Sequence, residues 1–320
     1  MKILLIYPYF LEPRVHQEDI QAVPIGLYTI GAVLKAEGFS VEVLNWSQLQ
    51  AEDDVIRETL IARNPDIIGF SVFNANRWGA IEVARTAKAL NPAVVNVFGG
   101  VGATFLWKQL LQDVEALDFI IRGEGEIPFL HLVQALATGE LVPAAIEGLA
   151  HRSAAGPVAN PRATTLKDLD RLPNPAQYFA YQHLALTRGC PGKCRFCGSP
   201  QYWGRQVRSH SATYFVDQLE LQHQRGITFF YVSDDTFTRD KTRVIEVCKE
   251  IIARRLPIHW AAISRVNLVD AEILRWMRLA GCQQISFGVE HGNPHIRQVL
   301  GKALRHTDIL HAFRTTTAHG

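Results

Sequence analysis

"RGCPGKCRFCGSP", residues 188–200, sets Cys190, Cys194 and Cys197 within eight positions of a 320-residue chain that holds only five cysteines. The spacing is C-x3-C-x2-C. It follows an apolar run, 183–187, that reads as a strand, and Phe196 stands just before the last cysteine. Three thiolates at this spacing suit a soft metal centre. A structural zinc site needs four ligands in a tetrahedron. His183 or His210 could supply the fourth, but neither stands in a paired spacing. A redox pair of Cys194 and Cys197 leaves Cys190 without a task, and simple burial does not call for a loop of Gly, Pro, Lys and Arg. The reading that uses all three sulfurs is a 4Fe-4S cluster with one iron left open, since such clusters ordinarily take four thiolates. Arg188, Lys193 and Arg195 are expected to favour thiolate over thiol. Cys248 and Cys282 lie in apolar contexts and read as core.

Outward from this loop toward the C-terminus, strand and helix alternate. Strands are predicted at 183–187, 227–233, 258–263 and 283–289, and helices near 211–225, 240–255, 270–280 and 306–318. Four such units make half of a (β/α) barrel, which takes about 250 residues when closed. The expected fold is therefore a partial barrel, truncated after "TTTAHG", with an open strand edge that is an aggregation liability. Barrel chemistry collects at the carboxyl ends of strands. There "VSDDTF" offers Ser233, Asp234 and Asp235, "AAISRVN" offers Ser264 and Arg265, and "SFGVEHGNP" offers Glu290. A guanidinium fits a carboxylate bidentately, and a lone carboxylate after a buried strand needs a partner. Asp240 reads as the N-cap of the next helix.

Toward the N-terminus the pattern also alternates. Strands are predicted at 3–7, 41–44, 67–71, 94–98 and 119–122, with helices at 27–37, 53–63, 80–90, 104–112 and 128–138. This reads as a doubly wound, Rossmann-like parallel sheet, whose ligands sit at the carboxyl ends of its strands. Ser71 ends the third strand and Gly99–Gly100 ends the fourth, and paired glycines allow a ligand close approach to backbone. "RGEGE", from Arg122 to Glu126, reads as a turn and helix start at the rim. Residues 143–182 are rich in Pro, Ala, Ser and Asn and read as an irregular connector. The expected domains are thus 1–142 and 183–320, joined by 143–182.

Bulk properties narrow the classes. A net charge of +2 gives no pull toward nucleic acid or membrane. Five cysteines with none before Cys190 do not make a disulfide framework and fit a reducing, cytoplasmic setting. "KILLIYPYF" is too short to span a membrane and reads as a buried first strand.

The cysteine loop resembles the radical S-adenosylmethionine enzymes, whose signature is this spacing with an aromatic at the position of Phe196. The resemblance implies that the open iron holds S-adenosylmethionine and that electron transfer from the cluster yields a 5′-deoxyadenosyl radical. It places Phe196, Asp235, Ser264, Arg265 and Glu290 around S-adenosylmethionine. The Ser233–Asp235 stretch stands where the family carries a Gly-Gly-Glu-like element. The N-terminal domain resembles the cobalamin-binding domain fused to such enzymes. Ser71-Val72-Phe73 and Gly99–Gly100 match its second and third elements, which implies cobalamin contacts at Ser71, Val72, Gly99 and Gly100. The first element, Asp-x-His-x-x-Gly, is replaced by "QAVPIG", residues 21–26, with Val23 at the histidine position and His16 out of pattern. The implied cobalamin has no histidine below cobalt. The combined resemblance implies methyl transfer to an unactivated carbon or phosphorus centre through the radical and methylcobalamin. Ring closure or oxidation, and a truncated remnant that binds cofactors without turnover, are the alternatives. Implied partners are a small-molecule substrate and an external electron donor such as flavodoxin or ferredoxin. Methylthiotransferases need further cysteines in the N-terminal domain, and residues 1–189 contain none.

Overall fold

Lys2–Tyr7 (β1) reads KILLIY with five of its six side chains buried, as a strand covered on both faces should be. The computed structural model describes residues 1–10, 23–49, 53–302 and 304–319. The chain falls into two units, Met1–Leu166 and Lys167–Gly320. In the first unit β1 is followed by α1 (Ile25–Ala36), β2 (Ser40–Asn45), α2 (Asp53–Arg63), β3 (Ile67–Ser71), α3 (Arg77–Leu90) and β4 (Val95–Gly99). Then come α4 (Gly100–Asp113), β5 (Phe119–Ile121), α5 (Glu126–Thr138), β6 (Leu149–Ser153) and β7 (Gly156–Ala159). They build one sheet in the order β2-β1-β3-β4-β5-β6-β7. The strands from β2 to β5 in that order pair in parallel. The doubly wound expectation therefore holds, with the strand order reversing between β1 and β3. Its core gathers Ile6, Ile68, Phe70 and Phe98, all essentially inaccessible, each worth about 1.5–3 kcal/mol of burial.

Two segments differ from expectation. α4 begins at Gly100, four residues before its predicted start, because the glycines that read as a loop instead let the helix begin directly on the strand end. The stretch 149–159, expected to be irregular, is a hairpin: β6 pairs antiparallel with β5, and β7 with β6. Its short, mixed composition hides a period that the edge of β5 completes.

The second unit holds β8 (His183–Leu184), β9 (Thr187–Arg188), α6 (Ser199–Tyr202), β10 (Arg208–Ser209), α7 (Ala212–Gln224) and β11 (Phe229–Val232). It continues through α8 (Lys241–Ala253), β12 (His259–Ser264), α9 (Ala271–Leu279), β13 (Cys282–Phe287), α10 (Pro294–Val299) and α11 (His306–Ala318). Its parallel sheet runs β13-β12-β11-β8, a half barrel as expected. Phe215, Leu219, Val232, Phe237, Val247, Ile251 and Trp260 close together between sheet and helices. Cys248 and Cys282 are buried, as read from the sequence. Ser211, Asp240 and Asp270 N-cap α7, α8 and α9, each cap worth about 1 kcal/mol.

The first strand of this unit is not the continuous 183–187 expected. β8 stops at Leu184, and β9 leaves the sheet to pair antiparallel with β10. The cause is Asp234, whose carboxylate takes the backbone N–H groups of Leu186 and Thr187. Those are the donors a continuing strand would have spent on the sheet. No helix among the described residues is long and apolar enough to cross a membrane.

Candidate functional site

The cysteine loop leaves β9 through Gly189, whose φ is +104°. A Cβ there would lie 2.1 Å from the Gln206 carbonyl oxygen, so no other residue fits. The Cys190 N–H donates to the Gly204 carbonyl at 3.3 Å, and the Cys197 N–H to the Cys194 carbonyl at 3.3 Å. From the far side the turn after α10 supports the loop. The Arg195 N–H donates to the Leu300 carbonyl at 2.9 Å, and a Cβ on Gly301 would meet the Lys193 carbonyl oxygen at 2.5 Å. The loop is thus clamped between two turns distant in sequence.

All three thiols are half-buried and unbridged. Cys190 Sγ lies 3.4 Å from Thr236 Oγ1. Burial pushes the Cys197 thiol up, and Asp235 and the other two sulfurs push it further, against one backbone N–H from Ser199. The expected help from cations is absent at this sulfur. Lys193 and Arg195 are exposed, and the Arg188 guanidinium lies over the Trp203 ring at 5.2 Å. At Cys197, loss of the proton therefore depends on a bound cation.

No three His, Cys, Asp or Glu side chains among the described residues are grouped to share one metal ion. His183 Nδ1 is 3.1 Å from Ser233 Oγ, while His210 bonds Asp170 at 2.9 Å and stacks on Tyr214. Neither histidine completes a zinc tetrahedron with the cysteines. A cubane iron cluster takes one thiolate per iron, and three free, half-buried thiols on one loop are a donor set of that kind.

The strand ends around the loop sort the other expected residues. Asp234 is buried and accepts from Leu186, from Thr187 N–H and from the Thr187 hydroxyl; burial pushes its carboxyl up to about 6. Asp235 is exposed, and its carboxylate accepts a 2.5 Å hydrogen bond from Ser199. Phe196 is 55% exposed, an unusual position for a ring beside a cysteine ligand. Ser264 is buried and bonded to the Thr238 hydroxyl, so it ties the end of β12 to the turn after β11. Its hydroxyl is thus already partnered at the strand end where the sequence reading places it beside S-adenosylmethionine. Arg265 follows directly: its Nη1 approaches Gly192, which stands in sequence between Cys190 and Cys194. Arg265 Nε is buried without a partner. Glu290 adopts a left-handed φ of +70° and pairs with Lys302, which also donates to the Gly288 carbonyl at 2.5 Å. Lys302 is buried and was not read from the sequence. The one available signal was "LGK", where Gly301 places it behind the cysteine loop.

In the first unit the ends of β3 and β4 meet. Ser71 is in register with Gly99, and the Val72 N–H donates to the Gly99 carbonyl at 2.8 Å. Gly100 has φ +88°, and a Cβ on it would crowd Val72 N at 3.2 Å and Ser71 Oγ at 3.5 Å. Ser71, Gly99 and Gly100 remain half-buried at the strand ends. Val72 does not: it is fully buried in the core, with its carbonyl accepting from the Gly102 N–H at 2.8 Å. Its side chain belongs to the core, so what it can offer a ligand at this strand end is its support of Ser71 and the neighbouring backbone. Two residues missed from the sequence hold this turn. Asn76, fully buried, accepts from the Phe73 N–H at 2.7 Å and donates to the Ser71 carbonyl at 3.2 Å. A Cβ on Gly102 would lie 2.7 Å from Phe73 C. Val23 is half-buried before α1, whereas Gln21, Ala22 and His16 lie outside the described residues.

Residues 20–133 match the B12 binding domain family, and residues 184–320 match the Radical SAM superfamily. The chain belongs to the cobalamin-binding radical S-adenosylmethionine enzymes. A protein of Pyrococcus horikoshii named as an uncharacterized methyltransferase is 29% identical, over 100% of this chain and 72% of its own. An anaerobic magnesium-protoporphyrin IX monomethyl ester cyclase of Rubrivivax gelatinosus is 30% identical, over 88% of this chain and 55% of its own. The fold matches the radical S-adenosylmethionine methyltransferase TsrM of Kitasatospora setae, solved with cobalamin and a 4Fe-4S cluster bound. The TM-score is 0.83 at 20% identity, over 100% of this chain and 65% of that one. The chain therefore spans between about half and three quarters of the length of these relatives.

Proposed function

We propose that this chain is a cobalamin-dependent radical S-adenosylmethionine enzyme that transfers a methyl group to an unactivated carbon or phosphorus centre of a small molecule. The observation that carries the reading is the clamped loop of three half-buried thiols at the strand ends of a half barrel. Cys190, Cys194 and Cys197 hold the 4Fe-4S cluster. Exposed Phe196 offers its ring to the adenosyl group. Arg265, with a buried Nε that lacks a partner, offers hydrogen bonds to the methionine carboxylate, and Asp235 offers a carboxylate to the amino group. Glu290, turned outward by its left-handed backbone and held by Lys302, offers an acceptor to a ribose hydroxyl. Ser71, Gly99 and Gly100 form the edge that receives cobalamin, with Val72 as the buried support beneath them. When bound, the cluster and S-adenosylmethionine supply a carbon radical, and cobalamin supplies the methyl group. A one-electron donor of the flavodoxin or ferredoxin kind supplies the reducing electron.

The test is anaerobic reconstitution of the chain with iron, sulfide and cobalamin, followed by a reductant, S-adenosylmethionine and an assay for 5′-deoxyadenosine. Deoxyadenosine is expected. A chain that takes up no iron sinks the reading, and a cluster without deoxyadenosine favours a cofactor-binding remnant. The cyclase relative favours a second reading, ring closure in place of methylation. S-adenosylmethionine labelled in its methyl group separates the two, because only methyl transfer leaves label in the product.

A further inference from the structure

Gly192 lies midway along the cysteine loop. A Cβ built on it would stand 3.2 Å from Cys190 Sγ, 3.9 Å from Cys194 Sγ and 3.4 Å from Arg265 Nη1. One bare glycine is therefore bordered both by a guanidinium from the end of β12 and by two of the three sulfurs. Among the described residues Arg265 forms no ion pair, and its Nε is buried without a partner. Its charge is not cancelled by a neighbouring carboxylate. Other cations near the loop are spent elsewhere: Lys193 and Arg195 are exposed, and Arg188 covers Trp203. The third sulfur has the opposite setting. Asp235 acts on Cys197, and its carboxylate is held by Ser199, two residues beyond that cysteine.

We infer that Arg265 and Asp235 set the reduction potential of the iron–sulfur cluster from opposite sides, with the guanidinium and the sulfurs of Cys190 and Cys194 all bordering Gly192. This rests on the cluster reading above. Reduction adds one negative charge to a cluster already carrying three thiolates. A cation against the sulfurs stabilises the reduced form and raises the potential, while an anion lowers it. Partial burial strengthens both effects by reducing solvent screening. Arg265 thus has a positioning and tuning task that precedes any contact with S-adenosylmethionine.

The experiment is a redox titration of the reconstituted full-length chain, followed by electron paramagnetic resonance, without S-adenosylmethionine. Leaving it out separates tuning from cofactor binding. Arg265→Gln is expected to shift the midpoint to more negative potential, and Arg265→Lys to stay near the wild type. Asp235→Asn is expected to shift it to more positive potential. Equal iron content with an unmoved midpoint in Arg265→Gln overturns the inference. Should that variant hold no cluster, an unmoved midpoint in Asp235→Asn overturns it instead. Wild-type chain that takes up no iron defeats the cluster reading itself, an outcome distinct from either.

Discussion

Asp234 and Asp235 are adjacent, carry the same side chain and have opposite surroundings. Asp234 satisfies three donors of the segment leading into the cysteine loop, whereas Asp235 faces solvent. Asp234→Ala leaves the buried N–H groups of Leu186 and Thr187 unpaired. It is expected to lower stability by about 2–4 kcal/mol in urea unfolding and to weaken iron retention. Asp235→Ala is expected to stay within about 0.5 kcal/mol of wild type. His183 supplies a pH test. Burial depresses its ring to about 4 from 6.5. The unfolded chain therefore binds the proton more readily between those values. The contribution of a neutral His183 is complete above pH 6.5 and is lost as pH falls toward 4. The stability difference between wild type and His183→Gln should shrink from pH 7 to pH 5, as read from urea midpoints. Asp234 acts in the opposite sense, since its raised carboxyl favours folding as pH falls below about 6. The two must be separated with the His183 variant and not read from wild type alone.

At the scale of elements, glycines decide how closely turns approach. Gly301 has φ +74° and faces the Lys193 carbonyl, while Gly102 faces the Val72–Asn74 backbone. Neither neighbour is a flexible side chain that could step aside. Gly301→Ala is expected to cost about 1 kcal/mol or more and to loosen the cysteine loop, seen as faster loss of cluster absorbance. Gly102→Ala is expected to weaken cobalamin binding while iron content stays at the wild-type level. Much of the element pattern was legible beforehand, because apolar alternation records burial directly. The break between β8 and β9 was not legible, because its cause is a carboxylate from residue 234. The β6–β7 hairpin was missed for a similar reason: its backbone donors are satisfied by β5, not by a pattern of its own.

At the scale of the molecule, the two units carry separate sheets and separate cores. Cys194→Ala is expected to abolish the brown iron–sulfur absorbance and leave cobalamin binding intact. Loss of both together would contradict two independent sites. Determined by the sequence alone were the two alternating α/β halves, the three-sulfur loop near the start of the second and the strand ends carrying the other candidate residues. Periodicity and short spacings are local properties, and they survive reading one residue after another. Only the tertiary structure decided that Asp234 is a buried staple, that Ser264 and Val72 are buried, that Arg265 stands beside Gly192 of the cysteine loop and that Lys302 holds Glu290. Each of those outcomes depends on a partner brought close by folding, and side-chain direction and burial at that distance have no signature in the order of residues.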